Sequence, residues 1–244
     1  MKTKIIIRPK NHSHTPPLQR VLFNTPVLNP NPFKSFYDQF TFQNQHQFAN
    51  DISNAFLDLH ILNVLAIAPT QSGKTGSMLS ICYQFLNNPT LNVPFQNIFI
   101  ITAHSSREWL LQTRQRFPSF MHNNIFHRNT LHIFQKRTLN LKNIIIIVDE
   151  AHIASKIGQS LHSLYKSLNF YDLKHLYNSN IKLIHFTATP EFLEKDLSRY
   201  WKFSSKTIHM DVPNSYMSHE KLQQQSLLFP MKDLTKFDFQ NFTY

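Results

Sequence analysis

The stretch that decides the fold runs from a short apolar segment into a polar loop: Val64-Leu65-Ala66-Ile67-Ala68-Pro69-Thr70-Gln71-Ser72-Gly73-Lys74-Thr75. Its first five residues are continuously apolar, which is typical of a strand buried on both faces of a parallel sheet. Beyond the loop, apolar residues recur at helical spacing from about Lys74 to Leu86, and Asn87-Asn88-Pro89 is a helix stop. The stretch therefore predicts a strand, a tight loop and a helix in succession.

The loop has the spacing of a phosphate-binding loop, with Ala68 in the place of the usual first glycine. A glycine at position 73 lets the backbone pass close to a phosphate, and the N–H groups of the following helix start face the anion. Lys74 can reach the β- and γ-phosphates of ATP, and the Thr75 hydroxyl can ligate Mg²⁺. We expect the nucleotide to contact Pro69, Thr70, Gln71, Ser72, Gly73, Lys74, Thr75 and Gly76.

A second motif follows another buried run, Ile144 to Val148, which ends in the carboxylates Asp149 and Glu150. Adjacent residues at a strand end point in different directions, so the two carboxylates can have different catalytic roles. We expect Asp149 to hold Mg²⁺, and Glu150 to orient and deprotonate the attacking water. A solvated pair of acidic residues at a strand end is the alternative.

Apolar runs of the same type occur at Ile98–Thr102 and Leu183–Phe186, with helix-compatible segments between them. This alternation predicts βαβ units and a parallel sheet. The polar residues after each strand should meet at one edge of that sheet, where open α/β sheets bind ligands.

The composition is that of a basic chain with one core. It has 244 residues, 41% of them hydrophobic, and a formal net charge of +11, which suits a polyanionic partner such as nucleic acid. The Lys-, Asn- and Ile-rich composition of an AT-rich genome would give the same charge. Cys82 is the single cysteine, which excludes an internal disulfide and fits a reducing compartment, cytoplasmic or nuclear. No apolar run approaches membrane-span length, so we expect no membrane partner.

The sequence Asp149-Glu150-Ala151-His152 resembles the second motif of the superfamily 2 helicases and translocases, of the DEAD/DEAH type. Thr187-Ala188-Thr189-Pro190 is similar to their third motif, which couples nucleotide state to nucleic-acid binding, and His152 would be its contact. The resemblance implies an α/β fold: a P-loop NTPase, RecA-like parallel sheet flanked by helices, as a single lobe. It is closest to helicase-like proteins of large DNA viruses, which would place the chain at a viral replication site.

Two further site predictions follow from this resemblance. Gln47 lies where many of these proteins have an adenine-recognising glutamine, although Gln43 and Gln45 stand nearby and a surface role is equally open. The segment after the second strand resembles their nucleic-acid-contacting segment, so His104, Ser105, Arg107 and Arg114 would bind DNA or RNA phosphates without reading sequence. The alternative is a capped surface helix with scattered arginines.

The predicted organisation has three parts. Residues 1–40 form an irregular basic arm rich in Pro and Asn, 41–205 the ATP-binding lobe, and 206–244 a connector or tail toward a second lobe. Complete motors of this superfamily bind ATP between two lobes, and the second supplies arginines; the residues after Pro190 are too few for another sheet. We therefore expect a helicase or translocase lobe that hydrolyses ATP weakly until a second lobe or partner chain completes it. A non-catalytic nucleotide- and nucleic-acid-binding module is the alternative.

Overall fold

The structure, a computed structural model, describes residues 31–91, 93–103, 105–153 and 155–225. Within these ranges the strands are β1 (Asn63–Ile67), β2 (Ile98–Thr102), β3 (Ile125–His127), β4 (Ile144–Asp149), β5 (Ile181–Thr187) and β6 (Ser205–His209). The α-helices there are α1 (Asn31–Phe40), α2 (Gln43–Ala55), α3 (Lys74–Asn87), α4 (Arg107–Gln115), α5 (Leu131–Thr138), α6 (Ser160–Ser167), α7 (Leu173–Ser179), α8 (Glu191–Tyr200) and α9 (His219–Gln224).

The six strands form one sheet in the order β3-β2-β4-β5-β1-β6, and every neighbouring pair is parallel. The predicted α/β fold, a RecA-like parallel sheet flanked by helices, is therefore confirmed. β5 lies between β1, which leads into the phosphate loop, and β4, which ends in Asp149. In register, Ile67 pairs with Thr187 and Thr102 pairs with Asp149, so the predicted motifs share one edge of the sheet.

Helices cover both faces of the sheet, and neighbouring strand residues point to opposite faces. Val64 and Ala66 contribute to a core under α1, α2 and α3, whereas Leu65 contributes to a second core under the helices α5 to α8. All three side chains are fully buried. Burying a side chain of this kind contributes roughly 1.5–3 kcal/mol, and the two cores fix the strand ends that carry the motifs.

Two observed elements extend past the predicted limits of the ATP-binding lobe. Residues 31–40 form α1, and the rings of Phe33 and Tyr37 contact that of Tyr83 on α3, with centroids 5.6 and 4.3 Å apart. The physical reason for this helix is that Phe33 and Tyr37, four residues apart, lie on one helix face. Residues 1–30 lie outside the described part of the chain.

At the other boundary, β6 pairs with β1 over its whole length, so residues up to His209 belong to the lobe rather than to a connector. The sequence from Tyr200 to Val212 indicates a helix end followed by a strand, and the structure shows α8 ending at Tyr200 and then β6. β6 is an edge strand: Lys206 and Thr207 are exposed, and Ile208 is its one buried residue. β3 was not predicted, because it has only three residues. Residues 226–244 of the predicted tail lie outside the described ranges.

Candidate nucleotide site

The phosphate loop is held in shape by its own hydrogen bonds. The Ser72 N–H and hydroxyl both donate to the Pro69 carbonyl, at 3.2 and 2.7 Å, and the Ala68 N–H donates to the Thr187 carbonyl at 3.0 Å. Gly73 has φ +93° and caps α3, a left-handed conformation that glycine adopts without steric cost. The loop therefore ends with the first N–H groups of α3 available to an anion.

Gln45 is the glutamine that contacts the loop. It is 3% exposed, and its Oε1 accepts a hydrogen bond from the Phe42 N–H at 3.0 Å. A Cβ added to Gly73 would lie 2.0 Å from Gln45 Nε2, and one added to Gly76 would lie 2.2 Å from Gln45 Oε1. Only glycine fits at either position while Gln45 occupies this place.

The prediction that Gln47 contacts adenine stays a prediction, and the structure places its side chain on the surface of α2. Gln47 is exposed, and its Nε2 donates to Asp51 Oδ1 at 3.1 Å along the surface of α2. Both glutamines lie on α2, but two residues differ by about 200° around a helix. A sequence signal existed: Gln45 is the third residue of α2, where a glutamine commonly turns back to bond the N-cap N–H.

Lys74 and Glu150 form an ion pair between the phosphate loop and the acidic motif. Lys74 Nζ lies 2.9 Å from Glu150 Oε1, and the two side chains are only 11% and 16% exposed. His152 Nδ1 lies 3.5 Å from Glu150 Oε2. The predicted phosphate-binding cation and the predicted water-activating carboxylate are therefore in direct contact.

The backbone around this pair is strained at two points. The described non-glycine residues with positive φ are three asparagines, together with Gln71 at φ +61° and Glu150 at φ +51°. Asparagine tolerates this region, whereas other residues do so at a cost. Strain of this type persists at functional sites, and both Gln71 and Glu150 line the same cleft.

The second and third predicted motifs also meet. His152 Nδ1 lies 3.0 Å from Thr187 Oγ1, and the Thr189 N–H donates to that same hydroxyl oxygen at 3.0 Å. Ala188 lies between the two threonines in the turn that follows β5. A continuous set of contacts thus leads from Lys74 through Glu150 and His152 to Thr187.

These residues open into a cleft of about 550 Å³. Its volume lies within the range of small-molecule sites, roughly 300–1,000 Å³. The residues that line it come from the phosphate loop, from the acidic motif and from α4 with its C-cap: Thr70, Gln71, Gly73, Lys74, Thr75, Asp149, Glu150, Trp109, Gln112, Thr113 and Arg116. Hydroxyl and carboxylate oxygens are the ligands that Mg²⁺ prefers, so Thr75 and Asp149 fit the predicted metal role.

The segment after β6 also reaches the loop, which the sequence did not predict. The Tyr216 hydroxyl donates to the Thr70 carbonyl at 2.6 Å. Nearer the strand, the Met210 N–H donates to the Ile67 carbonyl at 2.8 Å, and Asn44 Nδ2 donates to the Asp211 carbonyl at 3.3 Å. The exit from β6 therefore lies beside the phosphate loop.

Two of the predicted nucleic-acid residues, Arg107 and Arg114, lie on α4 near His127, the last residue of β3. Burial, and then the charges of Arg114 and Arg107, lower the pKa of the His127 imidazole. Arg114 also donates to the Ile125 carbonyl at 3.4 Å. Ser105 is exposed, and His104 lies outside the described residues.

No protein-family model matches this chain, and no curated protein sequence matches it. Among solved structures it is similar to the helicase domain of Pyrococcus furiosus Hef, with 16% identity, a TM-score of 0.41, and 66% of this chain and 38% of that chain covered. It is also similar to the DUF1998 helicase MrfA, with 13% identity, a TM-score of 0.42, and 75% and 32% covered.

A third similar structure is that of C. elegans PCH-2, with 10% identity, a TM-score of 0.36, and 72% of this chain and 46% of that chain covered. The chain thus spans less than half the length of each of these three proteins. At these scores the similarity assigns neither an activity nor a partner to this chain. In the described ranges no helix has the length and apolarity needed to cross a membrane.

Proposed function

We propose that this chain is the ATP-binding lobe of a Mg²⁺-dependent nucleic-acid helicase or translocase. The observation that carries the proposal is the ion pair of 2.9 Å between Lys74 and Glu150, set in a cleft that also presents Thr75 and Asp149. A cation for the phosphates, a carboxylate for water and two oxygen ligands for the metal are the groups that phosphoryl transfer to water needs.

The residues have distinct roles in this proposal. The loop N–H groups and Lys74 bind the triphosphate, and Glu150 turns from Lys74 to the attacking water once the phosphates attract Lys74. Thr75 and Asp149 would hold Mg²⁺, which would offset the negative charge of the phosphates. Gln45 packs against Gly73 and Gly76 of the loop, and Gln47 is the candidate for contact with the base.

Coupling to nucleic acid is supported by the contact of 3.0 Å between His152 and Thr187. A shift of Glu150 on nucleotide binding would reach Thr187 through His152, because all three residues are in contact. Arg107 and Arg114, on the same sheet edge, supply charge for DNA or RNA phosphates. A second lobe, joined or as a partner chain, would complete the site.

The test is ATP hydrolysis by the full chain with Mg²⁺, with and without single-stranded DNA or RNA. We expect slow hydrolysis that nucleic acid stimulates, and a loss of about 10²–10⁴-fold on Glu150→Gln, the usual effect of removing a general base. Lys74→Ala should abolish nucleotide binding. Equal hydrolysis by wild type and both variants would contradict the proposal. Tight nucleotide binding without hydrolysis under any nucleic-acid addition would instead favour a non-catalytic binding module.

A further inference from the structure

One side of α4, together with its C-cap residue, contributes to the lining of the cleft. Trp109, Gln112, Thr113 and Arg116 line the cleft together with Lys74, Asp149 and Glu150. Successive members of this set are three, one and three residues apart in the sequence, which places them on one helix face. Nothing in the phosphate loop or in the acidic motif predicts a role for this face.

The arginines of α4 divide between two opposite sides of the helix. At about 100° per residue, Arg107 and Arg114 point in nearly the same direction, while Trp109, Gln112 and Arg116 point about 180° away. The contacts agree with this division: Arg107 and Arg114 act on His127 of β3, whereas Arg116 lines the cleft. Arg116 therefore belongs to a different surface from the candidate nucleic-acid contacts.

Arg116 also has no ion-pair partner among the described residues. It is exposed, and within the described residues it takes part in no ion pair, since the ion pairs there are Lys74–Glu150 and His152–Glu150. The charged residues lining the cleft are Lys74, Arg116, Asp149 and Glu150. Lys74 is engaged by Glu150, so Arg116 is the cation of this cleft with no carboxylate partner among the described residues.

A phosphate is the ligand that such an arginine suits. A nucleoside triphosphate keeps net negative charge even with one divalent cation bound, and a planar guanidinium can donate two hydrogen bonds to one phosphate. Arg116 directly follows the last residue of α4 as its C-cap, and it lines the cleft.

We propose that Arg116 contacts the terminal phosphate of a bound nucleoside triphosphate, as a cation supplied from within this lobe. The inference rests on the proposed nucleotide site and adds to it a residue that distinguishes triphosphate from diphosphate. The loop N–H groups and Lys74 bind both nucleotides through the β-phosphate that the two share, and Lys74 also reaches the γ-phosphate. Arg116, which lines the cleft with Asp149 and Glu150, contacts only the phosphate that ADP lacks.

The experiment measures dissociation constants of the full chain by titration calorimetry with Mg²⁺, using a non-hydrolysable ATP analogue and ADP in parallel. Hydrogen bonds to charged groups are worth enough for about a tenfold or larger change in Kd. Arg116→Gln should therefore weaken binding of the ATP analogue at least about tenfold and that of ADP by less than about twofold. Arg116→Lys, which keeps the charge, should restore most of the loss.

Arg199→Gln is the matched control, because Arg199 is a surface arginine on α8 that stacks on Tyr200, at 5.1 Å from the ring centroid. It should leave both constants unchanged. The inference is overturned if Arg116→Gln leaves binding of the ATP analogue unchanged, or if it weakens both nucleotides equally, which is the mark of a merely structural role. If wild type binds neither nucleotide, the proposed nucleotide site fails first and the inference fails with it.

Discussion

Replacing Glu150 by Gln should tighten ATP binding while it stops hydrolysis. Glu150 Oε1 lies 2.9 Å from Lys74 Nζ. Lys74 must leave this carboxylate before it can reach the phosphates of ATP. The change to Gln removes the negative charge with almost no change in size, so it weakens the competitor for Lys74 without opening a cavity.

The size of the effect follows from the burial of the pair. The two side chains are 11% and 16% exposed, so solvent screens their interaction little. A hydrogen bond to a charged group contributes about 1.5–3 kcal/mol, which corresponds to about 10- to 100-fold in a binding constant. A glutamine still bonds Lys74 weakly, and we therefore expect the lower end, about tenfold tighter binding.

The assay is a titration of wild type and Glu150→Gln with ATP and Mg²⁺, followed by the intrinsic fluorescence of Trp109, which lines the cleft. Hydrolysis is measured on the same samples. Glu194→Gln, a change of the same type on α8, is the control and should match wild type. Weaker ATP binding by Glu150→Gln would refute the idea that this carboxylate competes for Lys74.

Three other predictions concern the loop, the core and the exit from β6. Gly76→Ala should disrupt nucleotide binding and lower the melting temperature, because its Cβ would lie 2.8 Å from the Phe40 carbonyl oxygen, a backbone atom; an unchanged melting curve contradicts this. Burial lowers the pKa of His185 to about 4, against about 6.5 when unfolded. The unfolded chain thus gains its proton first, and stability should fall by up to about 3 kcal/mol from pH 6.5 to pH 4. In denaturant titrations, the unfolding free energy of His185→Gln should lack that part of the pH dependence. The same dependence of the unfolding free energy on pH in wild type and variant would contradict the prediction. Tyr216→Phe removes the hydroxyl that donates to Thr70 and should increase hydrogen exchange in residues 211–217 without unfolding the sheet; unchanged exchange would show that this bond does not hold the segment.

The long apolar strands were predictable from the sequence because burial on both faces demands an uninterrupted apolar run. The prediction for β2 matches the observed Ile98–Thr102, and β4 extends the predicted run by one residue, Asp149. The edge strands were not predictable in this way. Three of the five residues in β6 are exposed, so its sequence carries no apolar run, and its place beside β1 depends on the rest of the sheet.

The residues of the candidate site also fall into two groups: those that a local sequence pattern predicts, and those that only the fold brings to the site. The loop and the acidic motif are contiguous in sequence, so their residue spacing alone predicted Lys74 and Asp149. Gln45 differs from Gln47 only by its direction from α2, which the sequence leaves undetermined until the helix start is known. Arg116 reaches the cleft because α4 lies across from the loop, a tertiary arrangement that no local pattern contains.

The central claim is that Lys74 lies in an ATP site, and the most direct test is a calorimetric titration of the full chain with ATP and Mg²⁺, compared with Lys74→Ala. The account predicts one nucleotide bound per chain, with binding that depends on Mg²⁺ and is at least about a hundredfold weaker in Lys74→Ala. Lys195→Ala, an exposed lysine on α8, should bind like wild type. Equal affinity of wild type and Lys74→Ala, or no binding by either, would contradict the claim.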